Sequence, residues 1–226
     1  MKRLVGNLFL AVALLVLAAL LAVQGVAYDA NFISRELLQL GSPQTIGMGD
    51  ADVYRYAEHT AAYLRGSLSD PNLEVTLDDT PRWFLNEREI LHMQDVQQLF
   101  AGVRYLTGLL LLLLALWGVW AYRRASFQTY LIKLTRGAIG AILIGALLAL
   151  FISRDFNQSF ILFHLLSFSN DLWLLDPATD LLINLLPEQF FADAALQTAL
   201  RAGALLFSLA AATCWGSRKR DKSRAA

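Results

Sequence analysis

The chain has 226 residues, of which 56% are hydrophobic and 17% charged, and its 19 basic and 19 acidic side chains cancel to no net charge. A soluble domain carries about 25% charged residues, so these proportions exclude an ordinary soluble globular protein. They require the polar residues to be segregated from long apolar runs.

The first apolar run, Leu4 to Ala27, predicts a transmembrane helix over residues 1–28. A run of roughly 20 apolar residues crosses a hydrocarbon core about 30 Å thick, and this one is longer than the roughly 7–15 residues of a cleavable signal segment. A retained anchor is therefore expected. Residues 29–102 are polar enough to lie outside the membrane as a helical segment. Within them Val53, Tyr56, Ala57, Thr60 and Leu64 follow helical spacing, with Asp50 as the N-cap and Gly66 as the stop. This predicts an amphipathic helix lying on the membrane or on a partner segment. Asp70-Pro71-Asn72 marks a turn, and Leu73 to Leu77 alternates like an extended piece.

Asn86 and Glu89 form the sequence pattern of a capping box, and the helix it starts runs through Leu91, Val96 and Leu99 into the run Tyr105 to Ala121. That run predicts a second transmembrane helix over residues 103–122. A cytoplasmic loop follows at 123–132, then a third span over 133–153, whose apolar part is shortened by Lys133 and Arg136. Residues 154–193 are apolar yet unsuited to spanning, because Ser159 to Leu175 is interrupted by a histidine, three serines, an asparagine and an aspartate. The expected structure is an interfacial or re-entrant helix with Phe160, Phe163, Phe168 and Trp173 at headgroup depth. Asp176-Pro177 should open a short helix, and Pro187 should start the helix that becomes the fourth span, residues 194–215. Residues 216–226 form a basic tail.

The fold class is thus an all-α integral membrane protein with four transmembrane helices and two extracytoplasmic helical segments. Its orientation follows from Lys2 and Arg3, from Arg123, Arg124, Lys133 and Arg136, and from Arg218, Lys219, Arg220, Lys222 and Arg224. All three clusters fall on one side of a four-span topology, which the positive-inside rule makes the cytoplasm. Both termini are then cytoplasmic, and of the nineteen acidic residues only Asp221 shares that side. Topological anchoring accounts for the basic tail, so membrane lipids rather than nucleic acid are the expected neighbours.

Chemistry should arise where the two external segments meet. None of the three histidines is cytoplasmic. His92 stands at the mouth of the second span, three residues from both Glu89 and Asp95, and His164 lies inside the apolar stretch that leads to Asp171 and Asp176. Each ring alone reads as a satisfied hydrogen-bonding partner in a packed interface. The pair, brought to one membrane face, suits general acid and base work near neutral pH. His59 reads as a surface side chain. Arg201, in the outer third of the fourth span, is either a functional intramembrane charge or a snorkelling side chain. Asp171 and Asp176 either orient a histidine or shape the turn, and Trp173 reads first as a headgroup anchor and second as a substrate contact.

Other chemistries find no motif. The sequence has no Gly-x-Ser-x-Gly elbow, phosphate loop, dinucleotide glycine pattern or zinc signature, and the single cysteine, Cys214, allows neither an internal disulfide nor a Cys/His metal site. No cofactor or metal is expected. Two alternatives remain open: a haem or metal ligated by the two histidines, and a non-catalytic lipid-binding membrane factor.

The segment from Phe84 to Val96, with His92 and Asp95-Val96 followed by Leu99-Phe100, resembles the HxxDV block of a bacterial four-span family. A second block resembles that family's later signature. It comprises Phe163-His164, Phe168-Ser169-Asn170-Asp171, Trp173, Leu175-Asp176-Pro177, Asp180 and Leu186 to Phe191. The family is that of the lipoprotein intramolecular transacylases. The resemblance implies that His92 and His164 are the two essential histidines and that the substrate is a diacylglyceryl-modified lipoprotein. It implies transfer of the sn-2 O-acyl chain to the cysteine α-amine, giving an N-acyl lyso-lipoprotein. It also implies a bacterial cytoplasmic membrane location with the active site on the extracytoplasmic side. Oligomeric state is left open.

Overall fold

The computed structural model describes residues 2–124 and 127–225, with side chains for 6–124 and 127–218. Along the chain run α1 (Lys2–Ala27), α2 (Ala30–Leu40), α3 (Ser42–Thr45), α4 (Asp50–Arg65), β1 (Glu74–Leu77), β2 (Thr80–Trp83), α5 (Glu87–Arg124), α6 (Phe127–Arg154), α7 (Phe156–Ser167), α8 (Leu181–Leu185) and α9 (Glu188–Ala225). Among the described residues α1, α5, α6 and α9 are long and apolar enough to cross a bilayer. The protein is an all-α multi-pass membrane protein carrying one small hairpin. The side chains of Lys2, Arg3, Lys219, Arg220, Asp221, Lys222 and Arg224, used above for orientation, lie outside the described residues.

Two compact units are present. One comprises Met1–Ala22, Arg104–Arg154 and Gln197–Ala226, and the other Val23–Val103 and Asp155–Leu196. In the first, Leu10, Leu14, Ala18 and Ala22 of α1 bury against Ala138 and Ala141 of α6 and Ala202 and Leu206 of α9. Small residues dominate because apolar side chains gain nothing by leaving lipid for one another, so contact depends on close van der Waals approach. Gly137 shows how close, since a Cβ there would lie 2.9 Å from Cγ of Leu10. Thr135 of α6 and Thr213 of α9 share a hydroxyl hydrogen bond of 2.8 Å. Large exposed apolar side chains such as Leu112 and Leu116 on α5 and Leu147 and Phe151 on α6 cover the outside, as lipid-facing surfaces should.

Helical structure occupies the stretch expected as the 123–132 loop, except for the two undescribed residues. Leu131 is buried and would meet a Cβ at Gly216 of α9 at 3.2 Å, while Tyr130 packs on Trp117 of α5 with centroids 5.9 Å apart. Packing of Tyr130 and burial of Leu131 hold this stretch as helix rather than loop.

The second unit is built around α2 and α4. Phe32 and Leu37 of α2 bury with Val53, Tyr56, Ala57 and Tyr63 of α4, together with Val75, Leu77, Phe84, Leu85, Met93, Leu182, Leu185 and Phe190. The amphipathic helix therefore turns its apolar face to a partner segment. Gly66 ends it in the left-handed conformation (φ 84°), and Gly49 rather than Asp50 takes the N-cap position. Asp52 instead accepts from Thr76 N–H at 2.8 Å and from Arg55 at 2.6 Å, tying α4 to β1. The extended piece pairs with β2 in antiparallel register from Glu74 opposite Trp83 to Leu77 opposite Thr80. Its two-residue turn places Asp78 and Asp79 at positive φ, the backbone a tight hairpin requires.

Helix α7 has 12 residues, which at about 1.5 Å each are too few to cross the hydrocarbon core. The expected helix at Asp176-Pro177 is a closed turn. Asp176 C=O accepts from Thr179 and Asp180, and its carboxylate accepts from Ala178 N–H at 2.9 Å. These bonds close the turn, and α8 starts only at Leu181, with Asp180 at its N-cap position.

Candidate active site

Two connected features of the second unit fix the start of α5, the helix that carries His92. The first is the start of α5, where the capping box forms in full: Asn86 N–H donates to Glu89 Oε2 at 2.7 Å and Glu89 N–H to Asn86 Oδ1 at 3.0 Å. The second is a bridge to the later segment. Glu89 Oε1 accepts from Leu182 N–H at 2.6 Å, and Asn86 Nδ2 donates to Asp180 Oδ1 at 2.8 Å. Asp180 Oδ2 in turn accepts from Asp176 N–H at 2.7 Å. Burial opposes the charge of Asp180, but bonds from Asp176, Asn86 and Thr179 and the nearby Arg88 outweigh it and hold its carboxyl below the ordinary value. Glu89 is 1% exposed, so its work is structural and fixes where α5 begins relative to the loop before α8.

One turn beyond Glu89, the His92 ring lies 6.3 Å from that of His164, with planes 31° apart. Both side chains are buried. Phe168 touches both rings, at 5.5 Å from His92 and 5.7 Å from His164. Phe160, Phe163 and Trp173 complete the wall around His164, with Trp173 stacked on it at 4.9 Å.

The two imidazoles present different nitrogens. His164 Nδ1 lies 2.8 Å from the Phe160 carbonyl. A carbonyl only accepts, so Nδ1 carries the hydrogen and Nε2 of the neutral ring carries the lone pair. Burial lowers the proton affinity of His164 below that of a free imidazole, against a smaller opposing effect of the Phe160 bond. His92 Nδ1 is sealed from solvent without a hydrogen-bond partner. A stranded N–H is rarer in folded proteins than an unfilled lone pair, so the favoured tautomer of His92 has its hydrogen on Nε2.

The acidic neighbours do not touch the rings. Asp95 Oδ2 accepts from Asn170 Nδ2 at 2.8 Å, and Glu89 accepts from the backbone N–H groups of Asn86 and Leu182. Asp171 takes a hydrogen bond from Arg88 on its carbonyl and faces it again at 3.6 Å through its carboxylate. Asp176 shapes its turn. Trp173, read as a headgroup anchor, packs on His164. Arg201 lies on α9 in the other unit, and His59 holds the Asp70 carbonyl at 2.9 Å on the surface. Sequence reasoning passed over Arg88 and Asn170. Arg88 precedes His92 by one helical turn, a spacing that could have flagged it, whereas Asn170 stands within the second signature block with no spacing that gives it a role of its own. Among the described residues no group of three or more His, Cys, Asp or Glu side chains could hold a metal ion.

The sequence pattern of the family described as lipoprotein intramolecular transacylase Lit matches residues 8–191. The chain belongs to this family. The solved structure of the membrane integral lipoprotein intramolecular transacylase Lit from Bacillus cereus is similar with a TM-score of 0.75 at 26% identity, covering 97% of this chain and 98% of that one. A form of the B. cereus protein with one histidine replaced by arginine gives a TM-score of 0.77 at 24% identity, over 99% of this chain and 95% of that one. A form with histidine replaced by alanine gives 0.76 at 24%, over 98% and 96%. A search of curated protein sequences finds no match. Membership of the Lit family makes the chain an acyl-transferring membrane enzyme. It does not favour the haem- or metal-ligating alternative or the non-catalytic one.

Proposed function

We propose that the protein moves the sn-2 acyl chain of the diacylglyceryl group on a lipoprotein's N-terminal cysteine to the α-amine of that cysteine. The observation that carries this reading is the pair of buried imidazoles 6.3 Å apart, with His164 Nδ1 on the Phe160 carbonyl and His92 Nδ1 without a partner, a setting that favours a lone pair on Nε2 of His164 and a hydrogen on Nε2 of His92. Nucleophile and ester belong to one substrate, so tethering supplies much of the rate advantage, and an ester becomes a more stable amide.

The substrate ammonium, with a pKa of about 7.7–8.0, first loses one proton to water. The neutral amine then attacks the ester carbonyl carbon. As the N–C bond forms, the attacking nitrogen becomes strongly acidic, so even a weakly basic imidazole takes its proton, and His164 Nε2 is placed to do so. His92 Nε2–H donates to the oxyanion of the tetrahedral intermediate. Collapse breaks the bond to the glyceryl oxygen, which receives the proton held by His164. The proton has moved from nitrogen to oxygen, and both rings return to their starting tautomers. His92 keeps its hydrogen throughout, because giving it up would leave a buried imidazolate.

Asp95, Asp171, Asp176 and Glu89 support this pair by holding backbone and loop, and Trp173 covers His164. Arg201, a cation on the fourth span, is the candidate contact for the lipid part of the substrate. The three basic clusters support a bacterial cytoplasmic membrane location with both termini in the cytoplasm and the histidines on the external face.

The test is mass spectrometry of a diacylglyceryl lipopeptide incubated with purified protein and no added acyl donor. The expected product has unchanged mass, with fragments that place one acyl chain on the amine, and is absent with His92→Ala and with His164→Ala. Conversion that persists in either variant would remove this assignment of the site.

A further inference from the structure

On α5, Arg88, His92 and Asp95 fall at intervals of four and three residues and so share one face. The two residues that flank His92 on this face both reach the irregular segment after α7. Arg88 binds the Asp171 carbonyl and Asp95 binds the Asn170 amide at 2.8 Å. Asn170 is the more heavily used. Its side-chain oxygen accepts from Leu172 N–H at 3.1 Å, closing the turn, and its carbonyl accepts from the indole N–H of Trp173 at 3.1 Å. That indole is the one stacked on His164 at 4.9 Å. An unbroken path therefore runs from α5 through Asp95, Asn170 and Trp173 to the second histidine, beside the direct approach of the two rings.

We infer that Asn170 is a positioning residue for acyl transfer, clasped by Asp95 so that Trp173 fixes His164 at its working distance from His92. The inference rests on the transacylase reading above. Its physical basis is that His164 stands on a 12-residue helix and owes its ring position to aromatic contacts and one carbonyl. The Phe160 bond sets the tautomer but is local to α7, and so cannot set the distance to α5. The clasp is what refers His164 to the helix that carries His92. Arg88 acts in parallel by holding the neighbouring residue, which keeps the strap across the face of α5 when substrate arrives.

The test compares kcat and KM for conversion of the diacylglyceryl lipopeptide by wild type, Asn170→Ala, Asp95→Ala and the exchange Asp95→Asn/Asn170→Asp. The exchange reverses donor and acceptor while leaving one oxygen at position 170 for Leu172 N–H. Misplacement of a reacting group by about 1 Å can lower a rate about a hundredfold. Each alanine variant should accordingly lose about tenfold to a hundredfold in kcat with KM changed less than about twofold, and the exchange should regain most of that loss. Thermal midpoints measured alongside decide between loss of fold and loss of alignment, because the exchange must recover kcat whether or not the alanine variants melt earlier. Alanine variants with wild-type kcat, a change in KM alone, or an exchange no better than Asn170→Ala would each overturn the inference. If wild type yields no N-acyl product, the transacylase reading falls and takes this inference with it. If wild type yields product and the clasp variants match it, only the inference falls.

Discussion

The indole of Trp173 lies on the imidazole of His164 with centroids 4.9 Å apart and planes 29° from parallel. This contact, with those of Phe160, Phe163 and Phe168, removes the ring from water and makes its cation costly. The folded protein therefore holds a proton on His164 less tightly than a free imidazole, whose pKa is about 6.5. The base form predominates at neutral pH and is lost only as pH falls through the depressed folded value. The unfolded chain takes up the proton first, so this group lowers stability as pH drops through about 6.5 and stops doing so below the folded value. NMR titration of isotope-labelled histidine, assigned with His59 and His92 variants, should place the His164 midpoint below about 6.5 and show it rising in Trp173→Ala. A wild-type midpoint at or above that of free imidazole would contradict the burial argument.

Glu89 bridges the backbone N–H groups of Asn86 and Leu182. Glu89→Ala removes the acceptor of both, that of Leu182 in a buried setting, which should cost about 1–3 kcal/mol of stability. Denaturation in detergent should show an early transition, and activity should fall with it because α5 and the loop before α8 lose their common anchor. Unchanged stability in Glu89→Ala would show that water replaces the carboxylate without loss.

Gly41 and Gly47 share φ of 69° but differ in their surroundings. An added Cβ at Gly41 has its nearest neighbour at 3.9 Å, whereas at Gly47 it would lie 2.2 Å from Asp78 Oδ1 and 2.9 Å from Asp78 N. Gly41→Ala should cost about 1 kcal/mol of left-handed strain, and Gly47→Ala should cost more, because the hairpin turn must also move. Comparison of the two thermal midpoints checks the order, and equal losses would refute the role given to Asp78.

In the other unit, Gly137→Ala should push α6 away from α1, since Leu10 and Leu14 lie 2.9–3.2 Å from the new Cβ. Overpacking of this kind costs about 1–3 kcal/mol. Leu10→Ala should be destabilising alone but should relieve part of the Gly137→Ala defect in the double variant. Strict additivity in a double-mutant cycle would mean that the two residues do not press on each other.

Much of this protein is written locally. The four apolar runs, the capping box at Asn86 and Glu89, the stop at Gly66 and the extended piece at Leu73 to Leu77 are all patterns over a few neighbouring residues. Hydrophobic length and backbone propensity act at that range. The two histidines were also legible, because a polar ring in an apolar stretch is costly and therefore conspicuous. The tertiary structure alone decided what each carboxylate does. Asp95 turned to Asn170, 75 positions away, and Glu89 to Leu182, 93 positions away. It also placed Trp173 on His164 and kept residues 127–132 helical through Leu131 and Tyr130. Hydrogen-bond partners and ring contacts are chosen by whichever groups packing brings within about 3 Å or a ring's width. For a residue such as Asn170, that choice is made by segments far away in the chain.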